Sequence, residues 1–228
     1  MTPIRMRSLA GLALASTVLL TGCDSAPAFS PGVAARVGDE TISVNTVDEV
    51  TATYCDAAEQ QFEEGQVLAQ HYLRGQVAGN LTLRSAAEQF ADEVGVTADE
   101  EYDQAVAAAE ESLAGTPDDQ IQALVDVQGA TTFVGAVEKA AGETILDERG
   151  DTGGEKAARA AGQEAFLAWL DDNTVEINPT FSVSIKDGAA VPTDTSISFG
   201  LSQVVEQADA SEPDTAYAAT LPEPQRCG

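Results

Sequence analysis

Histidine and the familiar catalytic motifs are nearly absent from this sequence, which excludes most enzyme classes. The 228 residues contain one histidine, His71, and a lone histidine with no nucleophile near it in sequence does not indicate a hydrolytic triad. The motifs G-x-S-x-G and H-E-x-x-H and a phosphate-binding glycine loop are all missing. Carboxylate pairs such as Asp99 and Asp103 arise by chance in a chain with 38 acidic residues. We therefore predict a protein that is not an enzyme and needs no cofactor.

Basic residues are scarce as well. Eleven Lys and Arg residues against 38 Asp and Glu residues give a formal net charge of −27 at pH 7. A chain this acidic is repelled by the phosphates of nucleic acids and by anionic lipid headgroups. We therefore exclude nucleic-acid binding, and expect that attachment to a membrane depends on acyl chains rather than on surface charge.

The sequence has one apolar run, residues 9–20, which at about a dozen residues is too short to span a bilayer. Arg5 and Arg7 precede the run, and Leu-Thr-Gly-Cys follows it at positions 20–23. A basic start, a short apolar segment and a small-residue end are typical of a secretory signal peptide. The tetrapeptide resembles the lipobox of bacterial lipoproteins. This resemblance implies a signal peptide over residues 1–22, cleavage between Gly22 and Cys23, and lipid on Cys23.

Lipidation of Cys23 would tether the protein to the extracytoplasmic face of the cell membrane through acyl chains. The alternative is an ordinary secretory signal with a coincidental cysteine. Residues 23–32 are rich in Ser, Pro and Ala, and this composition predicts a flexible tether between the lipid and the folded part.

Cysteine is rare, with three in the whole chain. Once Cys23 is assigned to lipid, Cys55 and Cys227 remain, and an even pair in an oxidising compartment is a candidate disulfide. The sequence alone does not show whether the two sulfur atoms meet.

The first part of the predicted domain alternates between strand and helix patterns. Val33, Ala35 and Val37 alternate with other residues and a Gly-Asp turn follows, which indicates a short hairpin or a bulged strand. From Asn45 to about Leu170, apolar residues recur every three or four positions and predict five or six helices. Helices are predicted to start at a cap at Asn45, at a capping box at Thr97 and at Pro117, a proline in the first helical position. They are predicted to end at Gly95, at Gly115 and at the glycine-rich residues 150–154.

A second alternating segment, residues 175–186, predicts a strand with a bulge or edge position at Pro179. Pairing the first strand with this last one covers the apolar face of both. We therefore expect a predominantly helical α+β domain over residues 33–191, closed by its paired terminal strands. The composition of residues 192–228 predicts a polar tail that is held to the domain only if Cys227 forms a disulfide. One weak strand is predicted within it, through Ile197, Phe199 and Leu201.

Three segments, in this order, carry a family resemblance. They are VAARVGDETIS at residues 33–43, the stretch from Leu73 to Glu101 that ends in VGVTADEE, and VEINPTF at residues 175–181. In this order they resemble the N-terminal chaperone domain of the SurA and PrsA family. The resemblance implies a fold of the SurA N-terminal type and a protein that binds unfolded or secreted polypeptides.

Family members that isomerise prolyl bonds carry an inserted parvulin domain with histidines around the substrate. The interval between Thr116 and Gln163 is short, helical in pattern and free of histidine, so we predict that the isomerase domain is missing. A client would be held non-covalently in an apolar cleft. The aromatic residues are the first place to look for such a cleft, although most are expected in the core: Phe62, Tyr72, Phe90, Tyr102, Phe133, Phe166 and Trp169.

Two alternatives stay open at this stage. The first is an envelope scaffold that binds one dedicated partner, which the sequence does not separate from a general chaperone. The second, more remote, is a metal-binding envelope protein in which Asp147, Asp151 and Glu155 supply oxygen ligands to calcium. Their spacing lacks the regular order of an EF-hand loop, so a solvated acidic loop is the simpler interpretation.

Overall fold

A computed structural model describes residues 29–151, 153–193 and 214–228. The predicted signal peptide, its cleavage site at Gly22 and Cys23, and the weak strand through Ile197, Phe199 and Leu201 lie outside these residues. Cys23 as a lipid attachment site therefore stays a prediction. Of the helices that the structure describes, none has the length and apolar character needed to cross a membrane.

Helices make up most of the described chain. Their bounds are α1 (Val44–Ala58), α2 (Gln70–Val94), α3 (Glu100–Ser112), α4 (Asp118–Gln128), α5 (Ala130–Arg149), α6 (Gly154–Asp172) and a short α7 (Thr215–Ala218). Single turns of 3-10 helix lie at Glu59–Gln61, Pro179–Phe181 and Glu223–Gln225. The predicted predominance of helix is confirmed.

The strands are short and form three separate antiparallel sheets. They are β1 (Val33–Val37), β2 (Glu40–Ser43), β3 (Leu68–Ala69), β4 (Val175–Ile177), β5 (Val183–Lys186), β6 (Ala189–Pro192) and β7 (Arg226–Cys227). One sheet has the order β2-β1-β4, and β3-β7 and β5-β6 form the other two. In the first sheet Ala35 lies opposite Ile177 and Val37 opposite Val175. The expected pairing of the first strand region with the last is therefore confirmed.

Helix starts differ from the sequence prediction by one or two residues because nearby side chains cap better. Ser43, not Asn45, caps α1, and its Oγ accepts the Thr46 N–H at 2.9 Å. Asp99, not Thr97, caps α3, and its carboxylate accepts the Tyr102 N–H at 3.0 Å. A carboxylate satisfies an orphan amide and also suits the positive end of the helix dipole. Pro117 lies just before α4 instead of in its first turn.

The single strand predicted over residues 175–186 is wrong: a turn of 3-10 helix divides it into β4 and β5. Asn178 causes the break, because its Oδ1 accepts the Thr180 N–H at 3.1 Å while its Nδ2 donates to the Val33 carbonyl oxygen at 3.0 Å. Pro179 then begins the 3-10 turn, consistent with its missing N–H. The Asp187-Gly188 turn connects β5 to β6, a strand that the sequence pattern did not predict.

Helix α2 runs through the middle of the core and separates it into two apolar clusters. Its first half, with Leu73 and Val77, packs with α1 and α4, while its second half, with Leu83 and Phe90, packs with α5 and α6. Phe90 contacts Phe166 with ring centroids 5.4 Å apart. One long helix thus joins both halves of the domain.

Helices α5 and α6 approach so closely that two glycines are needed at their contact. A Cβ atom on Gly142 would overlap the carbonyl oxygen of Ala158, and one on Gly162 would overlap the carbonyl oxygen of Glu138. Backbone therefore contacts backbone at this crossing, and larger residues would separate the helices.

Residues 214–228 form ordered elements on the surface of α1, α2 and β3. Strand β7 pairs with β3, placing Cys227 opposite Leu68. Ala218 of α7 is fully buried against Val67 and Ala69. The Sγ atoms of Cys55 and Cys227 lie 2.07 Å apart, the distance of a disulfide, so this segment is covalently tied to α1. The predicted tail is thus structured over its last fifteen residues.

Candidate polypeptide-binding surfaces

Helix α3 is attached to the rest of the protein mainly at its two ends. Within α3, all of which the structure describes, Tyr102 alone is buried. Leu113, the residue after the helix, packs on the cluster formed by α1, α2 and α4. Between these points the alanine-rich residues 105–109 are exposed or half-buried. An apolar helix face that packs poorly on its own domain is available to contact another polypeptide.

The first attachment of α3 is an ion pair at its N-terminus. Lys139 Nζ of α5 lies 2.7 Å from Asp99 Oδ2 and 3.5 Å from Glu101 Oε2. Burial alone would raise the pKa of the Asp99 carboxyl, but the hydrogen bonds from Lys139 and from the Tyr102 N–H hold it below its usual value. The hydrogen bond to Asp99 raises the pKa of Lys139 above its usual value. Both groups are therefore charged at neutral pH, and Asp99 has a structural role.

A groove with a volume of about 290 Å³ separates α3 from α4. Its apolar wall consists of Tyr102, Val106, Ala107 and Val125, and its rim carries the side chains of Asp103, Glu110 and Gln122. Arg84 also lines the groove. The groove is open to solvent, and its volume suits one or two side chains of an extended chain. Its geometry is that of a shallow contact surface.

The Arg84 side chain, which lines the groove, is held in place by several neighbours. Its guanidinium stacks over the Phe133 ring at 4.7 Å and donates from Nη1 to the Tyr102 hydroxyl at 3.1 Å. Its Nε lies 3.0 Å from a Glu88 carboxylate oxygen and 3.6 Å from one of Asp126. With its charge balanced by these groups, Arg84 supports the groove and leaves the rim acidic.

A second, larger groove lies beside the β2-β1-β4 sheet and is strongly acidic. Its volume is about 580 Å³. Five carboxylates line it, from Asp39, Glu40, Asp92, Glu93 and Asp172. Trp169 closes one side, and its indole Nε1 donates to Glu93 Oε2 at 2.7 Å. The wall is polar, so this groove suits a basic partner better than an apolar one.

The aromatic residues predicted as a possible client surface fall into two groups. Phe90, Tyr102, Phe166 and Trp169 are buried, as expected for core residues. Phe62, Tyr72 and Phe133 are half-buried and pack at the edges of apolar clusters. Of these seven aromatic side chains, all within the described residues, Tyr102 alone lines the α3–α4 groove. Sequence reasoning missed Val106 and Val125, which no motif distinguishes from ordinary helical apolar residues.

The described residues offer one group of three possible metal-ligating side chains, and it is not the predicted acidic loop. This group is Cys55, Glu59 and Cys227. Asp147, Asp151 and Glu155 are not brought together in a comparable way: Glu155 instead pairs with Arg159 at 2.9 Å. The structure therefore gives the calcium hypothesis no support.

The fold and its grooves define an α+β domain of mostly helical character with surfaces open to solvent. The family model of the SurA-like N-terminal domain matches residues 4–121. The match covers just over half of the chain and ends in α4, and the chain therefore belongs to the SurA-like N-terminal domain family. Neither curated proteins nor solved structures yield a significant match.

Membership confirms the resemblance found in the sequence and gives the protein a chaperone-like role in general terms. The SurA N-terminal domain is the non-catalytic chaperone module of its family. Domains of this kind are extracytoplasmic and belong to the periplasm or cell envelope. They are associated with binding unfolded polypeptides.

Proposed function

We propose that the protein is a lipid-anchored, extracytoplasmic chaperone that holds unfolded or secreted polypeptides without catalysis. The observation that carries the proposal is the family membership. The tether would keep the domain close to the membrane, where exported chains emerge, and so raise the local concentration of binding sites. Binding a client without a covalent step requires only an apolar contact surface with a hydrated polar rim.

The α3–α4 groove is the client surface that we favour. Val106 and Val125 supply apolar contact area, and the rim carboxylates of Asp103 and Glu110 keep the loaded surface hydrated. An extended segment with one or two apolar side chains flanked by Lys or Arg complements this combination of apolar wall and acidic rim. The chain's net charge of −27 further opposes self-association.

Suppression of aggregation tests the function. Soluble residues 24–228 are expected to reduce light scattering by several unrelated, denatured secreted proteins at near-stoichiometric ratios. Val106→Asp should weaken client binding about tenfold, because an introduced carboxylate in an apolar contact costs at least about 1.4 kcal/mol. Fluorescence anisotropy with a labelled client peptide measures this change in affinity.

Val94→Asp is the matched control for this experiment. Val94 is an exposed apolar residue, 39% accessible, at the end of α2 and away from the groove. Its variant should bind clients like the wild type, and circular dichroism should show that both variants fold. Equal losses in both variants would reject the groove as the site. A wild type that suppresses no client would favour a scaffold for one dedicated envelope partner.

Lipid anchoring is a separate prediction. Cys23→Ala should abolish lipid attachment and move the protein from the membrane fraction to the soluble fraction, because two acyl chains no longer bind the bilayer. Ser30→Ala, in the predicted tether, is the control and should stay with the membrane. Tight retention of Cys23→Ala in washed membranes would contradict the lipobox interpretation.

A further inference from the structure

The disulfide brings a third side chain into position as a metal ligand. Cys55 and Glu59 are one helical turn apart, at the end of α1 and the start of the following 3-10 turn, and therefore face the same side. A Glu59 carboxylate oxygen, Oε1, lies 3.3 Å from Cys55 Sγ. With Cys227 of β7, one ligand atom from each residue lies within 4.8 Å of the other two.

The surroundings of these three residues have two features of a built metal site. The Gly228 N–H donates to Glu59 Oε1 at 2.9 Å, and a hydrogen bond of this kind orients a ligating carboxylate. Cys227 is buried, whereas Glu59 is exposed, so an ion would enter from the carboxylate side. Pairing of β7 with β3 also places Cys227 at this position, in addition to the disulfide.

The backbone spacing also suits a tetrahedral ion. Zinc bonds to thiolate at about 2.3 Å, which places two thiolates about 3.8 Å apart. The Cα atoms of Cys55 and Cys227 are 5.7 Å apart, and rotation about the Cα–Cβ bonds is the movement that would separate the sulfurs to this distance. Two thiolates and a carboxylate, with water as the fourth ligand, form a donor set that favours zinc over calcium or magnesium.

We propose that Cys55, Cys227 and Glu59 form a Zn²⁺ site when the disulfide is reduced, so that metal replaces the covalent bond as the link between β7 and α1. Reduction by a phosphine consumes one water and gives two thiols and a phosphine oxide. The two thiols then lose their protons to solvent as both thiolates bind the ion. In an oxidising space the disulfide holds residues 214–228, and under reducing conditions zinc would hold them.

Cobalt, a spectroscopic substitute for zinc, tests the site. We would use the full-length protein carrying Cys23→Ser, so that Cys55 and Cys227 are its only thiols. After phosphine treatment and its removal, one equivalent of Co²⁺ should give intense visible bands of tetrahedral cobalt and a near-ultraviolet thiolate charge-transfer band. Zn²⁺ should displace the cobalt. The oxidised protein should show neither band.

Glu59→Gln should weaken cobalt binding by about tenfold or more, because it removes one of three protein ligands. Glu63→Gln is the matched control, since Glu63 lies on the same exposed segment outside the cluster, and it should bind like the wild type. Zn²⁺ should also raise the urea midpoint of the reduced protein, as a ligand of the folded state does. Cobalt without a thiolate band, equal binding by both variants, or an unchanged midpoint would each overturn the proposal.

Discussion

Removal of the Cys55–Cys227 bond is expected to lower the free energy of unfolding by about 2–5 kcal/mol. The bond connects residues 172 apart in sequence, and closing so long a loop removes much of the entropy of the unfolded chain. Beyond the bond, the short β7 and α7 hold residues 214–228 through few contacts of their own. Cys55→Ala combined with Cys227→Ala should therefore unfold at a clearly lower urea concentration than the oxidised wild type.

Phosphine reduction of the wild type in the presence of a metal chelator should reproduce most of this loss. Cys23→Ser, which leaves the bond intact, provides the control and should unfold like the wild type. Equal midpoints for the oxidised wild type and the double variant would mean that the bond contributes nothing to stability. Equal midpoints would also show that residues 214–228 do not depend on Cys227 for their attachment to the domain.

Replacement of Gly162 by alanine is expected to destabilise the protein by about 1–3 kcal/mol or more. The new Cβ would overlap the carbonyl oxygen of Glu138 in α5, and backbone cannot move aside as a flexible side chain does. Gly142→Ala should behave in the same way through the carbonyl oxygen of Ala158. Thermal unfolding followed by circular dichroism measures both effects.

Gly135→Ala is the matched control in the same helix pair. Gly135 also lies in α5, but a Cβ atom there meets only Arg159 Nη1 at 3.8 Å, an ordinary contact. Alanine should stabilise this position by about 0.5–1 kcal/mol through its higher helix propensity. If Gly162→Ala and Gly135→Ala raise stability equally, then close backbone packing does not control the α5–α6 contact.

The parts of the fold that follow from local chemistry were predictable from the sequence. Apolar periodicity identifies the helices, and Gly95 and Gly150, both with positive φ, end α2 and α5 as left-handed caps. The pairing of β1 with β4 followed from the need to cover two apolar strand faces. These features depend on residues that are close in sequence or on one simple packing rule.

Features that depend on several distant partners were not predictable. Asp99 caps α3 with one carboxylate oxygen and pairs with Lys139 of α5 through the other, and nothing near residue 99 in sequence indicates this ion pair. The 3-10 turn between β4 and β5 depends on the Asn178 side chain reaching the Val33 carbonyl. The α3–α4 groove likewise arises from how two ordinary amphipathic helices are attached, so its apolar wall gives no distinctive sequence signal.

The pairing of β1 with β4 also determines when this protein completes its own folding. Residues 35 and 177 are neighbours in the sheet, so one edge of the β1–β2 hairpin has no strand beside it until nearly the whole domain has been synthesised. Contacts between such distant residues slow folding, whereas adjacent helices such as α5 and α6 associate quickly. During that interval β1 offers an unpaired edge to other chains. A protein of a chaperone family is thus itself, for a short time, a chain in need of protection.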